Sequence, residues 1–155
     1  MFEDSVDAFI QRWHPFVTPV RIFPKVEGSP LFECQAGGVI LSLLERTGPY
    51  ESVAGEARVI VNATTPIVEQ VEPAPEEFEV LAISQIRALG QVVVRNGNFL
   101  VVDVGIPIVL GVHDPLPNTI EEGVTIRFDS VPPLHGFVVP FAPQRTAPID
   151  EEQLI

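Results

Sequence analysis

Phe32-Glu33-Cys34-Gln35-Ala36-Gly37-Gly38-Val39-Ile40-Leu41 and Phe99-Leu100-Val101-Val102-Asp103-Val104-Gly105-Ile106-Pro107-Ile108 share one outline at a shift of 67 residues. In each, a strand-like stretch headed by Phe (alternating in the first, mostly apolar in the second) meets glycine and is followed by an apolar stretch. Stretches of this length, punctuated by glycine, read as short strands. The likeness extends outward at the same shift: Thr65-Pro66-Ile67-Val68-Glu69-Gln70-Val71-Glu72-Pro73 lies beside Pro132-Pro133-Leu134-His135-Gly136-Phe137-Val138-Val139-Pro140. Between the blocks Gly55 matches Gly123 at 68, and ahead of them Val20-Arg21 matches Ile86-Arg87 at 66. Few identities survive, but glycine, proline and apolar positions recur in order. Such recurrence decides architecture before any single residue is read. It carries little chemistry.

Working outward, strands are expected at 19–26, 31–36, 38–44, 56–62 and 67–71, then at 79–94 (bent at Gly90), 98–104, 106–113, 123–129 and 134–139. Arg95-Asn96-Gly97-Asn98 is a hairpin signal, since Asn-Gly supplies the positive φ values of a type I′ turn. Val104-Gly105-Ile106-Pro107 reads as a tight connection or a bulge, and 113–118 as a loop. The expected fold class is all-β: a tandem duplication of a small five-stranded barrel, OB-like or SH3-like, with one short N-terminal helix. Closure removes the exposed edges of a small sheet. The alternative is one pseudo-twofold barrel or sandwich formed by both repeats, because about 60 residues alone make a marginal domain. The segments are the N-terminal helix (1–16), the first repeat (17–73), a Pro-rich acidic linker (74–77), the second repeat (78–141) and an acidic tail (142–155).

The helix is legible from Val6, Phe9, Ile10 and Trp13 at i, i+3, i+4 and i+7, one face of a turn. Asp4 or Ser5 caps it and Pro15 ends it. Small barrels have little interior for two large aromatics. Phe9 and Trp13 therefore cover a barrel end or reach a second subunit, and a homodimer through Val6, Phe9, Ile10 and Trp13 is expected.

The chain is 46% hydrophobic, enough for a core, and carries a formal charge of −12. Residues 1–77 hold 5 Lys and Arg against 12 Asp and Glu, and residues 78–155 hold 4 against 9, so neither half hides a basic lobe. A polyanion is repelled by this field, which argues against nucleic acid and anionic membranes. Single-strand binders also need a basic groove with stacking aromatics, whereas this chain has one Lys, one Tyr and one Trp. The acidic N-terminus lacks the basic start and apolar core of a signal peptide, and no apolar run approaches the roughly 20 residues of a membrane helix. A cytoplasmic protein is expected. The single cysteine, Cys34, excludes an internal disulfide and sits at an apolar strand position.

Few residues offer chemistry. His113, Asp114 and His135 are the catalytic candidates: if two strand ends converge, they and Asp129 form a His/carboxylate group suited to proton transfer or a divalent metal. Loop histidines are more often solvated or bonded to backbone, and no HxH or HExxH spacing supports a metal. Asp103, in an apolar strand, reads as an acceptor for backbone N–H groups near Gly105. No GxSxG nucleophile motif and no phosphate-binding glycine loop is present. No cofactor and no metal is expected. The preferred function is a non-enzymatic protein-interaction or scaffold module that binds a protein partner or itself. The alternatives are a small-molecule or metal-dependent enzyme using His113, Asp114 and His135, and an oligonucleotide binder, which the charge disfavours.

Overall fold

The computed structural model describes residues 5–47 and 54–139. Asp4 and the acidic tail 142–155 lie outside the described residues. One helix, α1 (Val6–Trp13), is followed by a turn of 3-10 helix (His14–Phe16). Eleven strands come next: β1 (Thr18–Ile22), β2 (Leu31–Ala36), β3 (Val39–Glu45), β4 (Gly55–Thr65), β5 (Glu69–Val71), β6 (Glu77–Ala82), β7 (Gln85–Asn96), β8 (Phe99–Asp103), β9 (Pro107–Val112), β10 (Thr125–Asp129) and β11 (Leu134–Val139). The fold is mostly β with one short α-helix, as the sequence pattern implies.

Five strands close into a barrel in the order β1-β2-β3-β11-β4, with β4 pairing back to β1. The fifth strand expected from 67–71 is therefore supplied instead by Leu134–Val139. The reason lies in β4, whose 11 residues outrun the barrel. Its first half pairs with β1, from Val59↔Thr18 to Gly55↔Ile22. Its second half runs parallel to β9, from Val61↔Ile108 to Thr65↔Val112. The chain thus leaves the barrel before β5, which pairs with β10. Beyond β4 the sheet continues β9-β8-β7-β10-β5. The end of β10 and the segment after it return to β4: Val131 N–H donates to the Thr64 carbonyl at 2.8 Å, and the Thr65 hydroxyl to the Asp129 carbonyl at 3.0 Å.

Hairpin chemistry sets the local registers. Gly37 and Gly38 join the paired residues Ala36 and Val39, and Gly97 and Asn98 join Asn96 and Phe99. Gly37 (φ 61°) and Gly97 (φ 64°) hold the first central position, while Asn96 belongs to the strand. Positive φ at that position but not at Gly38 or Asn98 marks a type II′ turn, in place of the type I′ expected at Asn96-Gly97. The expected single strand over 79–94 is also two. It breaks at Ile83-Ser84, where Ser84 takes φ 59°. The Ser84 hydroxyl holds the break by donating to the Ser42 carbonyl at 2.5 Å and accepting from the Leu134 N–H at 2.9 Å.

Alternation along the strands assigns two cores. Leu100 and Val102 on β8, Ile108 and Leu110 on β9, and Val59, Val61 and Ala63 on β4 join the main core. That core also holds Phe32, Cys34, Leu41 and Leu43 from the other half of the chain. The intervening residues Phe99, Val101, Val109, Ile60 and Phe137 point to the opposite face, under Phe9 and Trp13. Strands buried on both faces read as continuous apolar runs, which accounts for Phe99-Leu100-Val101-Val102 and Ile108-Val109-Leu110.

Candidate functional site

The helix is built as its sequence implies. Ser5 is the N-cap and its Oγ accepts from the Ala8 N–H at 3.1 Å. Phe9 and Trp13 are buried, whereas Val6 and Ile10 are half-buried. Phe9 stacks on Phe137 with ring centroids 4.3 Å apart, and Trp13 lies 5.6 Å from Phe99. The helix covers the outer face of β11-β4-β9-β8, where central strands are apolar on both sides, and not a barrel end. Its two aromatics are thus accommodated within the subunit.

His113 and His135 flank β4 from opposite edges. His135 pairs with Asn62, and His113 follows Val112, the partner of Thr65. Strand rise and spacing put their backbones on the order of 15 Å apart. His113 is exposed, and its N–H donates to the Thr65 carbonyl at 2.9 Å. Asp114 is exposed and bonded through its backbone to Pro66 and Asn98. His135 is half-buried with Nδ1 2.9 Å from Arg46 Nη1. A guanidinium only donates, so Nδ1 is the acceptor in this bond. Arg46 also stands 5.4 Å over the Phe137 ring. Nearby, the Glu45 carboxylate is 4% exposed, 3.7 Å from Lys25 Nζ, and accepts from the Thr47 hydroxyl at 3.2 Å. The expected grouping of His113, Asp114, His135 and Asp129 is not assembled; His135 joins Arg46 instead. Among the described residues no group of three or more His, Cys, Asp or Glu is placed to hold a metal ion.

Asp103 Oδ1 accepts the Gly105 N–H at 3.0 Å, the turn role read from its position. Cys34 is fully buried, and burial pushes its thiol up to about 12, which removes it as a nucleophile near neutral pH.

The most developed polar surface is one the sequence does not announce. Glu79, Arg87 and Asp129 stand in register across β6, β7 and β10. Arg87 grips Asp129 with two bonds, Nε–Oδ1 at 2.9 Å and Nη2–Oδ2 at 3.2 Å. That hydrogen bonding holds the Asp129 carboxyl below its ordinary range. In the adjacent row Arg127 lies 3.6 Å from Glu69 on β5. These residues and Glu77 line an open groove of about 680 Å³. Along one side of it, β6 pairs with β7 alone among the described residues. Val80, Leu81 and Ile83 stand exposed there, Ile83 at 77%. The strand break at Ile83-Ser84 contains no Gly, Pro, Asn or Asp, and a single Ser is a weak turn signal, so little in the sequence marks this hairpin.

Compared with protein-family models, curated proteins and solved structures, the chain gives no match. No helix among the described residues is long and apolar enough to cross a membrane.

Proposed function

We infer that the chain is a non-enzymatic protein-interaction module, and that its scaffold is a duplicated small barrel whose halves exchange strands. The observation that carries the functional reading is the β6–β7 hairpin. Val80 and Leu81 on β6 and Ile83 in its turn are exposed, and among the described residues that strand has a neighbour on one edge only. Clustered apolar exposure beside a polar groove is the usual mark of an interaction surface. The duplication is supported by the pairing pattern. Antiparallel β1–β2, β2–β3 and β1–β4 have counterparts in β7–β8, β8–β9 and β7–β10. Each third strand also has a parallel neighbour, β11 for β3 and β4 for β9, although β4 and β11 do not correspond under this mapping. In each case the parallel strand comes from the other half of the chain.

A photo-crosslinking side chain in place of Ile83 tests the functional reading in the source cells, with the exposed Glu121 position as control. The expected result is a discrete protein adduct at position 83 and none at 121. No adduct at 83, or equal labelling at both, would overturn it.

A further inference from the structure

We propose that the free edge of β6 accepts, as an added strand, an extended segment of a partner protein in which basic and apolar residues alternate; this rests on the interaction-module reading. Three observations converge. First, among the described residues β6 pairs only with β7, so its other edge offers a row of backbone donors and acceptors to an incoming strand.

Second, the two faces of β6 differ in chemistry. Phe78 and Val80 lie opposite the buried Ala88 and Ile86, while Glu77 and Glu79 lie opposite Leu89 and Arg87 on the groove side. Because side chains alternate, each residue of an added strand meets either the apolar or the acidic pair.

Third, the groove's cations are already engaged. Arg87 is held by Asp129 and Arg127 by Glu69; among the described residues Glu77 forms no ion pair, and Glu79, opposite Arg87, attracts it without forming a close ion pair. The acids beside the free edge are those left to complement a basic side chain. A second copy of this chain fits poorly, since it brings its own Glu77 and Glu79 to the same edge, along with a charge of −12. The register shift between Val80 and Ala82 further discourages a long symmetric pairing.

The test is a titration of the isotope-labelled full chain with a capped seven-residue peptide of alternating valine and arginine. The control has the same composition arranged in two blocks. Binding of the alternating peptide is expected to shift and protect the amides of Glu77–Ala82, to exceed the block peptide, and to weaken as salt rises. Glu77→Lys with Glu79→Lys should weaken it about tenfold or more and permit a valine–glutamate peptide to bind. Both positions are exposed, and the rest of the amide spectrum reports whether the variant folds; Glu79→Gln alone gives a smaller loss if it does not. The inference is overturned if the block peptide binds as tightly, if β6 amides are unaffected, or if charge reversal leaves affinity unchanged. It is equally overturned if the chain alone dimerises with β6 amides protected. An adduct at position 83 together with any of these results removes strand addition and leaves the interaction module standing. Absence of the adduct as well removes both.

Discussion

Gly90 sits where one edge of β7 changes partner. β6 covers that edge up to Leu89 and β8 takes over from Gln91. A Cβ at this position would collide with the Asp103 carbonyl oxygen and lie 2.7 Å from the carbonyl carbon and 2.8 Å from Val104 Cγ1. The two nearest atoms are backbone and cannot swing away, so Gly90→Ala should destabilise by about 3 kcal/mol, read from the urea midpoint. Cys34 makes a second test at this scale. Its folded thiol lies at about 12 against an ordinary value of 9.0. The folded state therefore binds this proton more tightly. The associated stability is full below pH 9 and is lost as pH rises from 9 towards about 12. Cys34→Ala should remove that slope, about 1.4 kcal/mol per pH unit at its steepest, and the native thiol should stay inert to Ellman's reagent at pH 8. The burial of Cys34 was legible from its strand position. The partner of Asp129 was not, because Arg87 meets it only through the pairing of β7 with β10.

At the scale of elements, α1 is short and depends on what it covers. Eight residues are too few for a helix to persist alone in water. Trp13→Ala should cost about 3–5 kcal/mol and lower the thermal midpoint accordingly. Ser5→Ala, which removes only the cap, should cost about 1 kcal/mol. The helix was readable because a 3.6-residue period needs only its own segment. The β6–β7 hairpin was not. Its turn relies on Ser84 at a positive φ, held by Ser42 and Leu134 from distant strands. Local sequence would let 79–94 run on as one strand; tertiary hydrogen bonds decide the break.

For the whole molecule, the closed barrel contains β11, contributed from the far end of the chain. Gly136 leaves room there for Leu43 and Phe32, which a Cβ would meet at 2.9 Å. A fragment of residues 1–73 lacks this strand and should show no cooperative transition by circular dichroism. Mixed with residues 74–155, it should regain strand signal. A fragment of 1–73 that folds alone, with a sharp urea transition, would contradict the interlocked barrel.

The sequence by itself determined that the chain is mostly β, where most of its short strands lie, and where its helix begins and ends. These follow from alternation, from glycine at tight turns and from a 3.6-residue period, all properties of neighbouring residues. Tertiary structure alone decided that Leu134–Val139 closes the barrel, that β4 serves two sets of partners, and that Glu79, Arg87 and Asp129 share one row. It also decided that His113 and His135 stand apart. Those outcomes depend on which strands pair across long stretches of chain. Pairing of that kind is settled by burying apolar surface from both halves in one core, which no local pattern encodes.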